Sequence, residues 1–317
     1  MLPMTLVGIP RNPVPAGAAG GSFIAHDGME IRYARWAPPR RGRKGTVCVF
    51  PGRAEFIEKY FETVSDLRQR GFAVAIMDWR GQGGSGRALR NPAKGHVDNF
   101  AQYDRDLAQF MSEIVLPDCP PPYFALAHSM GGNILLRAAC LRDCWFDRMV
   151  LSAPMLRIGG KAPSLGTINA ISQAAVFLGL GDLAVPGAGR ELAGTGPFEG
   201  NEFTSDRRRY ERNRLILEKA PALGLGAPTL AWLCAAAASM KRVNGFGFPP
   251  TVHVPLLMIS AGQDRIVSGK AIDDLAMQLK AGDRIVIDGA RHEILQEKDS
   301  FREQFWAAFD AFVPGSS

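Results

Sequence analysis

Short apolar runs alternate with amphipathic stretches along most of this chain, and the alternation predicts the elements before any chemistry is considered. Residues 22–26 and 29–36 read as two strands joined at Asp27-Gly28, a strong hairpin signal. Residues 45–50 read as a third strand, and a helix follows over 55–69, closed by Gly71. Residues 72–77 are a continuous apolar run, as a strand covered on both faces requires. They lead into a glycine-rich turn, 78–87, which lacks the terminal Gly-Lys-Ser/Thr and the immediate helix of a phosphate loop. Residues 100–115 are helical, and Asp118-Cys119-Pro120-Pro121-Pro122 breaks that helix. A strand at 123–126 and a helix at 133–141 follow, and 148–153, 254–260 and 284–287 are further strands. The pattern predicts an α/β fold, a mostly parallel central sheet with helices on both faces.

Between 155 and 247 the alternation stops. Two long uncharged stretches stand out there, 162–181 and 220–240. Each approaches the length of a membrane span, yet both contain Gly and Pro, and the second is largely Ala, which argues against spanning. They read as apolar helices inserted between core strands. The predicted organisation is a flexible N-terminal lead-in (1–20), a first part of the core (21–154), a helical cap insertion (155–247) and a second part of the core (248–313).

The chemistry is concentrated after the strand at 123–126, in Ala127-His128-Ser129-Met130-Gly131-Gly132. This is a strand, a sharp turn with a serine at its tip, and a helix: a nucleophile elbow. The turn needs small residues two before and two after the serine, and Ala127 satisfies the first position. A serine hydroxyl is a poor nucleophile at neutral pH, so it needs a base within hydrogen-bond reach and a group to orient that base. The strand at 254–260 runs into a turn bearing Asp264, and the strand at 284–287 runs into a loop bearing His292. The assignment is Ser129 as nucleophile, His292 as general base then acid, and Asp264 as the carboxylate that fixes the imidazole. Asp288 and Glu293 are weaker acid candidates, because they flank His292 and lack a strand of their own. Acyl transfer also needs donors aimed at the developing oxyanion. The backbone N–H of Met130 is one. The loop Pro51-Gly52-Arg53-Ala54-Glu55 supplies the other through Arg53, whose side chain is either a solvated charge or a substrate contact.

Apolar helices roofing the serine would make a hydrophobic slot fit for an acyl chain. Within the insertion, Arg207, Arg208, Arg209, Arg212 and Arg214 fall in one short stretch. They read as contacts to lipid phosphate, which Arg pairs with bidentately, or as a solvated helix face. The net charge of +6 suits an anionic partner. No nucleic-acid module is visible, so a membrane surface or an anionic substrate is preferred. The five cysteines form no C-x-x-C pair, which points to reduced thiols and a cytoplasmic setting. The five histidines have no metal-ligand spacing, and nothing calls for a metal or cofactor. Residues 1–21 lack the basic and apolar regions of a signal peptide.

Phe50-Pro51-Gly52-Arg53-Ala54-Glu55 with Lys59-Tyr60, the turn 78–86, Gly95-His96-Val97-Asp98, the elbow 127–132 and Tyr210-Glu211-Arg212-Asn213-Arg214 together carry a family resemblance. The chain resembles the lysophospholipase L2-type α/β-hydrolases of the monoacylglycerol lipase-like group over nearly all its length after the lead-in. The Pro-Gly-Arg form of the 51–53 loop separates it from monoacylglycerol lipases, which carry His-Gly there. The resemblance implies an α/β-hydrolase fold and cofactor-free hydrolysis of a fatty acyl ester, a lysophospholipid or monoacylglycerol, by Ser129, Asp264 and His292. It also implies a bacterial enzyme in the cytoplasm or peripheral to the inner membrane. Two other readings stay open. The same constellation serves a short-chain esterase or a serine peptidase, and a basic, apolar cap also suits a non-catalytic lipid-binding protein on a hydrolase scaffold.

Overall fold

Strands with no polar face must be covered on both sides, and here they pair into one sheet sandwiched between helices. The computed structural model describes residues 5–39, 44–160, 162–189 and 191–314. Among these, the strands are β1 Ala18–Ile24, β2 Glu30–Trp36, β3 Thr46–Phe50, β4 Ala73–Met77, β5 Tyr123–His128, β6 Arg148–Ser152, β7 Leu256–Ala261 and β8 Gly282–Ile287. Their order is β1-β2-β4-β3-β5-β6-β7-β8. The pairs β1–β2 and β2–β4 are antiparallel, and the rest are parallel. The α-helices are α1 Phe61–Gln69, α2 Ala101–Phe110, α3 Leu116–Asp118, α4 Met130–Ala138, α5 Leu165–Phe177, α6 Arg207–Lys219, α7 Leu230–Val243, α8 Gly269–Ala276 and α9 Asp299–Phe312. The helix expected over 100–115 is α2 continued by a π-helical turn, Met111–Val115. The one expected over 55–69 begins as a 3-10 turn, Ile57–Tyr60, ahead of α1.

Side chains alternate across each strand, so each strand serves two cores. Val47, Val49, Val74, Ile76, Phe124 and Leu126 pack with Phe61, Val64 and Leu67 of α1 and Phe305 and Phe309 of α9. Cys48, Phe50, Ala75, Met77, Ala125 and Ala127 face the other way, onto α2, α4, α7 and α8. Burying one large apolar side chain contributes about 1.5–3 kcal/mol, and these positions leave almost none exposed. From β3 the chain steps outward to β4, then returns to the opposite side of β3 as β5. That reversal makes the carboxyl ends of β3 and β5 the switch point of the sheet, where α/β folds bind ligands.

Between β6 and β7 the chain adds no strand to the sheet among the described residues and forms α5, α6 and α7 instead. Ser164, Asp206 and Thr229 cap these helices, each accepting from a backbone N–H three residues on. Helix α7 is sunk into the core through Trp232, Ala236, Met240 and Val243. Helix α5 packs on α7 and leaves Ile171, Phe177 and Leu178 exposed.

The structure corrects the loose lead-in expected at 1–20. Its described part is laid on the protein, and β1 already begins at Ala18. Asn12 Nδ2 donates to the Glu58 carbonyl at 2.8 Å, and the Val7 N–H donates to the Glu58 carboxylate. Trp36 Nε1 donates to the Pro15 carbonyl. Val7 and Ile9 pack beside Ile216 and Leu217 of α6, and Lys219 Nζ donates to the Gly8 carbonyl. Pro10, Pro13 and Pro15 interrupt this segment, so among the described residues it lies on the surface without a regular ladder partner.

The glycine-rich turn wraps a buried ion cluster. Arg32 on β2 is held by Glu58 through both Nη atoms and by Asp78 at 2.7 Å through Nε. Asp78 also accepts from the Ile57 and Gly84 amides. A Cβ on Gly83, whose φ is +55°, would run into the Asp78 carboxylate. Gly83→Ala is therefore expected to cost about 2–4 kcal/mol in urea unfolding. Gly28→Ala, at φ +85° with open space around it, is expected to cost about 1 kcal/mol. Equal losses would show that backbone strain alone, and not the ion cluster, demands glycine at 83.

Candidate active site

Ser129 sits between β5 and α4 at φ 50°, ψ −112°, a conformation that L-residues adopt only under constraint. The constraint is packing. A Cβ on Gly131 would stand 2.5 Å from the Phe50 carbonyl oxygen, and one on Gly132 would stand 2.8 Å from Pro154 Cβ. Glycine at both positions lets the first turn of α4 press against the ends of β3 and β6. Ala127, with its small side chain, is fully enclosed at the position before the turn.

His292 and Asp264 arrive from the ends of β8 and β7. His292 Nε2 lies 3.0 Å from Ser129 Oγ, and Nδ1 lies 2.8 Å from Asp264 Oδ2. The other Asp264 oxygen accepts from the Ile266 and Val267 amides. Burial works to raise the Asp264 pKa, but the hydrogen bond and charge of His292 and the two amides outweigh it and hold the carboxyl below its ordinary value. Of the three acid candidates, Asp264 is the one within hydrogen-bond distance of the imidazole. Asp288 is exposed, and Glu293 is bound to Lys59 at 2.6 Å. An imidazole with an oriented carboxylate on one nitrogen and a hydroxyl on the other can take the hydroxyl proton.

The loop after β3 is held from two sides. The Gly52 N–H donates to the Glu55 carboxylate, and the Ala54 N–H donates to Gln82 Oε1. Gln82 Nε2 returns bonds to the Gly52 and Glu55 carbonyls. The Arg53 N–H between them has no acceptor among the described residues. The Met130 N–H opens α4, where helix geometry provides no intrahelical acceptor and the dipole favours negative charge.

Beneath these groups lies a buried charge network. Glu55 accepts from the Tyr60 hydroxyl, lies 3.0 Å from His128 Nδ1 and pairs with Lys59 at 2.9 Å. Lys59 bridges onward to Glu293, next in sequence to His292. His128 Nε2 lies 3.2 Å from the His292 carbonyl oxygen. Burial alone would lower the His128 pKa; the Glu55 charge and hydrogen bond, with Glu293 behind, reverse this and raise it. Sequence reading missed this network. Its one signal was the placement of Glu55, Glu58 and Lys59 inside an otherwise apolar stretch.

The family model described as "Serine aminopeptidase, S33" (Hydrolase_4) matches residues 41–299. The chain belongs to this Hydrolase_4 family. It is 34% identical to lysophospholipase L2 of Escherichia coli strain K12, over 88% of this chain and 83% of that protein. It is 30% identical to the probable lysophospholipase L2 of Haemophilus influenzae, over 90% of this chain and 88% of that one. Among solved structures, a soluble variant of monoglyceride lipase from Saccharomyces cerevisiae superposes with a TM-score of 0.74 at 18% identity, covering 95% and 97% of the two chains. The chain has the α/β-hydrolase fold and is a serine ester hydrolase. No helix among its described residues is long and apolar enough to cross a membrane.

In this Hydrolase_4 chain the five insertion arginines do not form the free basic strip expected of them. Arg209 and Arg212 are buried against Glu62 of α1, and Arg209 also binds Asp206 and Asp299. Arg214 pairs with Glu211 and Glu218, Arg207 with Glu199, and Arg208 lies 3.9 Å from Asp299. Half of these carboxylates, Glu62, Glu199 and Asp299, come from outside α6, and the rest are local to it, so each arginine has an acidic partner close by.

Asp264→Asn is expected to lower kcat by about 10⁴-fold through loss of the imidazole orientation, while Asp288→Asn leaves kcat within about twofold; equal losses would reassign the acid. The second expectation concerns pH. The folded protein holds the His128 proton more tightly than the unfolded chain does. Its stabilising effect is therefore full below the ordinary value of 6.5 and is lost as pH rises through the folded value. The difference in urea midpoint between wild type and Glu55→Gln should shrink from about pH 6 to about pH 9. A constant difference would mean that His128 is neutral throughout.

Proposed function

We propose that the chain hydrolyses fatty acyl esters of glycerol lipids, with lysophospholipids as its principal substrates, through an acyl-enzyme on Ser129. The observation that carries the chemistry is the hydrogen-bonded line Ser129–His292–Asp264 at a strained elbow. Ser129 Oγ attacks the ester carbonyl carbon while His292 Nε2 takes its proton. The Arg53 and Met130 N–H groups hold the oxyanion. The tetrahedral species collapses, the C–O bond to glycerol breaks, and His292 returns the proton to the departing alkoxide. Water then attacks the acyl-enzyme with His292 again as base, which frees the fatty acid and restores Ser129.

The substrate class follows from the likeness to lysophospholipase L2 across most of both chains. It is supported by one helix of the insertion, α5, whose exposed face is largely apolar, whereas α6 and α7 expose charged residues. Ile171, Phe177 and Leu178 of the α5 region are 63%, 90% and 69% exposed, a face suited to peripheral contact with a membrane surface that holds the substrate. In this reading residues 155–247 act as the cap over Ser129.

The test is a matched panel: p-nitrophenyl esters of short and long acyl chains beside lysophospholipids and monoacylglycerols, each run with a Ser129→Ala control. Long-chain lysophospholipid is expected to be preferred, and the substitution is expected to remove at least about 10⁴-fold of kcat. Serine-dependent turnover confined to short esters would keep the chemistry and reject the lipid assignment.

A further inference from the structure

Arg53 leaves the loop after β3 with its guanidinium turned toward α7. Its Cζ lies 5.3 Å from the centroid of the Trp232 ring, over the face. Nη2 donates to the Gly226 carbonyl and packs on Gly95, where an added methyl would stand 2.8 Å away. No carboxylate among the described residues meets this side chain. Nε is buried without an acceptor, and Nη1 has none among the described residues. The deeply buried arginines are different: Arg32, Arg80, Arg137, Arg209, Arg212 and Arg302 each pair with Asp or Glu.

A guanidinium drawn out of water and given only a carbonyl and a ring face recovers little of its desolvation cost. Burial lowers the Arg53 pKa to about 10, so the group is still charged at neutral pH. This uncompensated cation begins one residue from the nucleophile, since a Cβ on Gly52 would stand 3.2 Å from Ser129 Cβ. Arg53 also lines a small cavity with Tyr210, Asn213, Lys59, Glu55 and Glu293; the two carboxylates there are both paired to Lys59, and Asn213 Oδ1 is buried without a donor. Trp232 and Gly226 hold the fork in one place, so little ordering remains to be done when an anion arrives.

We propose that Arg53 is the residue that selects an anionic headgroup, taking the phosphate of a lysophospholipid while Ser129 takes the acyl carbon of the same molecule. Glycerol separates those two centres by a few bonds, which suits the reach of one arginine from the residue beside Gly52. A monoacylglycerol offers only a neutral hydroxyl there and leaves the cation unmatched. The proposal rests on the acyl-lipid reading above and narrows it.

The experiment measures kcat/KM for a lysophosphatidylglycerol and a monoacylglycerol of the same acyl chain, with wild type, Arg53→Met and Arg53→Lys. Charged hydrogen bonds of this kind are worth about a 10- to 100-fold preference. The ratio of lysophospholipid to monoacylglycerol should fall by that factor in Arg53→Met and by less in Arg53→Lys, which keeps the charge but loses the fork. Equal loss on both lipids would overturn the proposal and leave Arg53 as a support for the loop. Wild-type turnover of monoacylglycerol alone would also overturn it, while turnover of neither lipid would reject the acyl-lipid reading itself. Should the variants fail to fold, wild-type protein gives an independent readout. Glycerol 3-phosphate is expected to compete with monoacylglycerol more strongly than glycerol or inorganic phosphate does. Equal inhibition by glycerol, or inhibition by inorganic phosphate alone, would overturn the headgroup assignment.

Discussion

The Glu55 carboxylate accepts from the Gly52 amide and the Tyr60 hydroxyl, meets His128 at 3.0 Å and faces the Lys59 ammonium at 2.9 Å. Three segments far apart in sequence therefore converge on two oxygens: the loop after β3, the strand β5 that runs into Ser129, and, through Lys59 and Glu293, the loop that carries His292. Such a group is expensive to bury and cannot be left partly satisfied. Its gain is geometric. With each oxygen committed, the loop after β3 cannot shift relative to the elbow without stranding a charge.

A second ionic centre does the same for the sheet edge. Arg32 joins β2 to Glu58 and Asp78, and the turn at 78–87 closes over it with glycines where a side chain would collide. Gln82 of that turn then reaches across to clamp the Gly52 and Glu55 carbonyls. The two polar centres are thus linked through one loop, by hydrogen bonds and not only by apolar packing.

The sheet was legible because its central strands are uninterrupted apolar runs bounded by turn residues, as at 45–50, 72–77 and 254–260. Ser129, Asp264 and His292 were legible because each follows such a run, and the structure brings the three together at hydrogen-bond distances. What sequence concealed was pairing at long range. The Glu62 carboxylate that neutralises Arg209 lies 147 positions away, and the Glu293 that meets Lys59 lies 234 away. A local window sees five arginines beside Asp206, Glu211 and Glu218 and counts a basic strip; the fold adds Glu62 and Asp299 from distant helices. Residues 5–17 were misread for a related reason. Proline-rich chain with no periodicity carries no local sign of the surface on which it will lie.

That N-terminal segment sets a mechanical asymmetry. It is stitched to the core at Glu58 and to α6 at Gly8, Val7 and Ile9, while α6 is also fastened to α1 and α9 through Arg209. Among the described residues helix α5 has no such fastenings and buries only Ser172. Attachment is therefore uneven across the insertion: charge pairs fasten α6 to two other helices, while among the described residues α5 rests on α7 by packing alone, which makes the α5–α7 contact the seam whose local opening costs least.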